Sequence, residues 1–107
     1  MNIDEMRLKD VVSLAASLNG DPPPVEVGKN YLIRTVTFIQ VGRVVSVTGK
    51  WVVLEDAAWI ADTGRFNNCL TEHTFSEVEP FPDPVIVSTG SIVEITRWNG
   101  ELPRVQK

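Results

Sequence analysis

Gly42-Arg43-Val44-Val45-Ser46-Val47-Thr48-Gly49-Lys50-Trp51-Val52-Val53-Leu54-Glu55-Asp56-Ala57 is the stretch on which the fold class turns. β-Branched residues crowd both of its arms, and such side chains fit a pleated, half-buried strand surface. Thr48-Gly49-Lys50 between the arms is a short hairpin signal, so two antiparallel strands are expected to meet there. Residues 31–41 just upstream carry the same chemistry, with Thr35, Val36, Thr37, Phe38 and Ile39 at their centre. Gly42 then reads as a bend or bulge inside one long strand. A sharply bent strand followed by a tight hairpin is what a small closed or nearly closed barrel needs.

Residues 57–61 extend the strand after the hairpin, and Asp62-Thr63 can open a short helical turn from Arg65 to Glu72. Pro80, Pro82 and Pro84 bar a central strand over residues 77–84, which are expected to form an extended surface loop. Residues 85–87 read as a strand, Thr89-Gly90 as a tight turn, and residues 91–98 as the last strand. Asn99-Gly100 is a strong turn dipeptide before a short tail. Toward the N-terminus, residues 2–18 carry Ile3, Leu8, Val11, Val12, Ala15 and Leu18 at helical spacing. Asn2 with Glu5 makes an approximate capping box, and Asn19-Gly20 supplies a stop. Pro22-Pro23-Pro24 favours a semi-rigid spacer. The expected organisation is an N-terminal amphipathic α-helix (1–18), a Pro-rich connector (19–30) and a mainly β domain (31–107) with an insertion at 58–84.

The 107 residues fit one domain, with 43% hydrophobic and 22% charged residues. Ten Lys and Arg against 14 Asp and Glu give a net charge of −4, and no basic run offers a footprint for duplex nucleic acid. One cysteine makes no internal disulfide, and Cys69 with His73 is too small a set for a structural metal, so no metal or cofactor is expected. No apolar run approaches a membrane span, and Asp4 and Glu5 are unlike a cationic leader, which points to a cytoplasmic setting. The charge is uneven. Residues 55–94 hold eight acids against Arg65 alone, a balance of −7, and the remainder stands at +3. That stretch is either a solvated face or a surface for a basic partner.

The order helix, bent strand, hairpin, strand, excursion, short strand, glycine turn, strand resembles the Sm-like (LSm, Hfq) small barrels. Residues 42–57 are similar to the first motif of that family. Val87-Ser88-Thr89-Gly90-Ser91-Ile92-Val93-Glu94-Ile95 is similar to the second, built around a glycine. The resemblance implies a small, strongly bent SH3/Sm-like barrel and ring assembly through paired edge strands. It does not carry RNA recognition over residue by residue. The Asn expected beside the first turn is missing from Thr48-Gly49-Lys50-Trp51-Val52, and Thr89 stands where an Arg or Lys is expected. The segment between the motifs is also longer than the family's.

Chemistry-bearing motifs are sparse. Asp62-Thr63-Gly64 matches the aspartic protease triplet, but only 43 residues follow it, too few for the remaining strands and flap; a turn role fits better. Cys69 and His73 would share a helix face but lack an orienting third group. Trp51, Trp59 and Trp98 each pair a large apolar face with one N–H donor, suiting a core edge, an interface or a stacking pocket. Trp59 and Trp98 are candidate interface residues. Arg34, Arg43, Lys50, Trp51, Arg97 and Trp98 are candidates for a small anionic ligand. Three functions follow as expectations: a non-enzymatic, homo-oligomeric ring-forming assembly module; a ring that sequesters a small nucleotide-like ligand between subunits; and single-stranded RNA binding.

Overall fold

The computed structural model describes residues 21–107, so the helix expected over residues 1–18 lies outside the described residues. The described part is mainly β: β1 (Asn30–Thr35), β2 (Ile39–Val47), β3 (Trp51–Asp62), α1 (Phe66–Glu72), β4 (Glu77–Pro80), β5 (Val85–Ser88), a 3-10 turn (Thr89–Ser91) and β6 (Ile92–Arg97). All ladders are antiparallel. The strands lie in the order β4-β3-β2-β1-β6, with β5 also beside β3.

The expected single bent strand over residues 31–47 is two strands. The chain reverses at Val36-Thr37-Phe38, so β1 and β2 pair as a hairpin, Tyr31 opposite Gly42 and Arg34 opposite Ile39. Thr35 closes the reversal: its N–H donates to the Phe38 carbonyl at 2.7 Å, and its Oγ1 accepts the Phe38 N–H at 3.0 Å. A threonine hydroxyl can organise a turn that carries none of the usual Gly, Pro, Asn or Asp markers. Gly42 lies within β2, where the β2–β3 register shifts between Val41 and Arg43, so an irregularity is found at the expected place although the chain reversal lies upstream of it. The hairpin at residues 48–50 is as expected; Thr48 Oγ1 accepts the N–H groups of Lys50 and Trp51, both at 3.1 Å.

The sheet is not closed or strongly curled, so the expected barrel closure is absent. Closure requires the end strands to meet. At one end the backbone of Lys107 exchanges two hydrogen bonds with Val78 of β4, at 2.9 and 3.0 Å. At the other, β5 passes to β6 through the 3-10 turn with no ladder between them. The expected loop over residues 77–84 also begins as a strand, β4. It lies at the sheet's end, where Pro80 forfeits no central ladder bond.

Two apolar clusters lie on opposite faces of this sheet. One gathers Leu32, Val41, Ala58, Ile60 and Val78 under Cys69 of α1, Phe75 and Trp98. The other gathers Tyr31, Ile33, Val44, Val52, Leu54, Ala57 and Val87. β3 serves both because its alternation slips at Asp56, which sits at φ 50 where the β2–β3 register shifts. Val52 and Leu54 face the second cluster; after the slip Ala57 does so too, and Ala58 and Ile60 face the first. An extra residue in one strand produces this change of face.

Gly42 lies inside β2 against that slip. A Cβ there would stand 3.0 Å from Leu54 Cβ and 3.1 Å from Ala57 Cβ, both in the fully packed second cluster. Gly90, in the turn before β6, has ordinary room, with Ser88 Oγ nearest at 3.7 Å. Gly42→Ala is therefore expected to cost ~1–3 kcal/mol, the usual penalty of overpacking a core. Gly90→Ala is expected to stay within about 0.5 kcal/mol of wild type. Urea denaturation of the two variants beside wild type checks the contrast.

Candidate functional site

The two glycine turns meet in space. Thr89 latches them: its N–H donates to the Lys50 carbonyl at 2.9 Å and its Oγ1 to the Gly49 carbonyl at 2.6 Å. β5 pairs Ser88 with Trp51 and Ile86 with Val53, which puts Trp51, Val53 and Ile86 on one side of the strand pair. A groove of about 520 Å³ results, lined by Gly49, Lys50, Trp51, Ile86, Ser88, Thr89 and Gly90. Trp51 is 46% and Ile86 70% exposed, so a stacking face and an apolar shelf stand beside one ammonium group. Of the sequence-predicted ligand residues, only Lys50 and Trp51 come together here.

The arginines are engaged elsewhere. Arg34 on β1 donates through Nε to Glu94, its register partner on β6. Arg43 forks across the bulge, with one N–H on Asp56 at 2.8 Å and another on Glu55 at 3.0 Å. Arg97 lies over the Tyr31 ring, 5.7 Å from its centroid. Trp98 is 3% exposed: it stacks on Phe75 at 4.9 Å, meets His73 edge-on at 5.2 Å, and donates Nε1–H to the Glu101 carbonyl at 2.9 Å. Both its face and its donor are spent inside the chain, which leaves nothing for a ligand or a neighbouring subunit.

The acidic stretch is divided by these pairs. Glu55, Asp56 and Glu94 are matched by Arg43 and Arg34, and Arg104 adds a contact at 3.9 Å to Asp56. Asp62, Glu77 and Glu79 lie together along the β3–β4 ladder, with Asp62 opposite Glu77. Asp62 Oδ1 accepts the Gly64 N–H at 2.8 Å, the turn role expected for that triplet. Cys69 is fully buried, and burial pushes its thiol above the ordinary range, away from the thiolate that nucleophilic chemistry needs. His73, the left-handed cap of α1, donates its backbone N–H to the Cys69 carbonyl at 2.9 Å. Among the described residues, no three His, Cys, Asp or Glu side chains converge on a possible metal position.

A second groove is bounded by aromatic residues, of which sequence reasoning singled out Trp59 alone. It measures about 510 Å³ and is lined by Phe38, Gln40, Trp59, Glu79, Pro80 and Phe81. Gln40, Trp59 and Glu79 stand opposite one another on β2, β3 and β4, a row no local pattern reveals. No protein-family model, curated protein or solved structure gives a significant match to this chain.

The Arg43 guanidinium, through its hydrogen bond to Asp56, holds that carboxyl below the usual carboxylate range. A folded value below the unfolded one, ordinarily about 3.9, gives stability that is present above that pH. It is lost as pH falls through the folded value. Asparagine tolerates the left-handed backbone as aspartate does, so Asp56→Asn removes the charge alone. The variant is expected to have a lower urea midpoint than wild type at pH 7, with the difference shrinking as pH falls below the ordinary carboxylate range.

Proposed function

We propose that the protein is a non-enzymatic assembly module of Sm-like character whose copies join head to tail through their open sheet edges. The observation that carries the reading is a pair of edges that no strand covers among the described residues. Among the described residues, β5 pairs only with β3, and β6 only with β1. β5 is Val-Ile-Val-Ser, with none of the charges or prolines within it that natural edge strands use to block pairing. Ile86 projects at 70% exposure beside one edge and Val93 at 54% on the other. Unlike edges that pair between copies make a heterologous contact, which closes into a ring when the rotation per step divides a full turn. The resemblance of residues 42–57 and 87–95 to the Sm motifs supports the same route.

A nucleotide-like ligand is the second reading, carried by Lys50 beside Trp51 in the groove between the two turns. It is the weaker of the two, because Arg34 and Arg43 are already paired to the chain's own acids.

Light scattering on the full chain at micromolar concentration is expected to return an assembly of three or more copies. Ile86→Lys and Val93→Lys, both at exposed positions, are each expected to reduce it to monomer while leaving the far-UV circular dichroism unchanged. A monomeric wild type overturns assembly. A thermal shift with a nucleotide panel addresses the second reading, since a bound ligand stabilises by mass action.

A further inference from the structure

We propose that the groove over Trp59 is a recognition site for an arginine side chain carried by a basic peptide segment of a partner protein. The argument starts from register. Gln40 on β2 faces Trp59 on β3, and Trp59 faces Glu79 on β4, so an amide, an indole and a carboxylate stand in one row across three strands. Directly opposed residues in antiparallel strands point to the same side of the sheet. With strands about 4.8 Å apart, the two acceptor-bearing residues straddle the indole at a backbone separation of about 10 Å.

Aromatic walls close the row. Phe38 meets Trp59 at 5.8 Å with the rings 86° apart, forming two sides of a corner. Pro80 and Phe81 bound it at the β4 end. Perpendicular aromatic faces with a carboxylate at the rim suit a cation, whose charge is drawn to the ring faces. Glu79 is the one charged group lining the groove, and its only partner among the described residues is the Gln106 amide at 3.4 Å.

Gln40 narrows the choice. Its Oε1 is buried without a hydrogen-bond donor. An acceptor in that position forfeits what it had in water and gains when a donor reaches it. Gln40 lines the groove, so a donor that enters there is the group placed to reach this acceptor. An incoming group must then offer donors in two directions, toward Gln40 and toward Glu79, while lying flat on the indole. A guanidinium does this: it is planar, its donors are forked, and it stacks on aromatic faces. An ammonium supplies the charge without the plane. The volume of about 510 Å³ exceeds one arginine side chain and leaves room for the backbone that presents it. Among the described arginines, Arg34, Arg43 and Arg104 meet acids, Arg97 lies over Tyr31 and Arg65 lines a separate groove beside Thr63 and Glu72, so the guanidinium is assigned to a partner.

The test uses the 15N-labelled full chain and its three Trp indole N–H resonances, with Trp59 identified by loss of its signal in Trp59→Phe. Capped Gly-Arg-Gly, Gly-Lys-Gly and Gly-Leu-Gly tripeptides are the probes, titrated to millimolar concentration. The arginine peptide is expected to shift the Trp59 signal and to bind about fivefold tighter than the lysine peptide, with no response to the leucine peptide. Glu79→Gln is expected to weaken arginine binding about fivefold. Gln40→Leu is expected to weaken it as well while leaving the chain no less stable to urea, because an unpaired buried acceptor has been removed. Equal binding of the three peptides overturns the proposal, as does an unmoved Trp59 signal. A Trp59 signal that moves on dilution of the protein alone overturns the partner assignment in favour of a second copy.

Discussion

The structure depends on the backbone slip at Asp56. β3 is the longest strand and borders β2, β4 and β5, and without a change of face it could feed only one apolar cluster. The positive φ at Asp56 turns the alternation over, so the first half of β3 feeds the cluster it shares with Val87 of its neighbour β5 and the second half packs beneath α1 and Phe75. A left-handed conformation costs a non-glycine residue roughly 1–2 kcal/mol, less for aspartate. Arg43 offsets that cost by bonding Glu55 and Asp56 together, and Arg104 ties the C-terminal tail to the same place through the Ala57 carbonyl at 3.2 Å.

Both grooves follow from that slip. Ahead of it, Trp51 and Val53 turn away from the cluster that holds Val52 and Leu54, and Trp51 becomes the exposed shelf beside β5. Beyond it, Trp59 is on the opposite side of the strand from Ala58 and Ile60, in line with Gln40 and Glu79. β4 therefore does more than lengthen the sheet: it carries the carboxylate and the proline that complete the second groove. The segment between residues 57 and 87 thus adds a helix over one face and a groove on the other.

The charge distribution takes a different meaning in three dimensions. Three of the eight acids in residues 55–94 are matched by arginines from β1 and β2, and these pairs are half-exposed, where an ion pair contributes about 0–1 kcal/mol. Their effect is to occupy arginines that could otherwise have met a phosphate. Of the other five, Asp62, Glu77 and Glu79 meet no arginine among the described residues and gather along the β3–β4 ladder.

The sequence by itself determined the mainly β class, the 48–50 hairpin, the short helix near residues 66–72 and the strands on either side of Thr89-Gly90. Each of these is written in local chemistry: β-branched runs, a turn dipeptide, helical spacing. The reversal at Val36-Thr37-Phe38 was not legible, because a threonine hydroxyl closes it in place of a marker residue. Nor was the role of Gly42, which answers to Leu54 and Ala57 across the sheet rather than to its own neighbours. Lys50 and Trp51 could be named from sequence because they adjoin one turn. Gln40, Trp59 and Glu79 could not be grouped, since 19 and 20 positions separate them along the chain and only strand register brings them together. Tertiary structure also decided that the sheet stays open, because closure depends on which edges meet, and the Lys107 backbone occupies one of them.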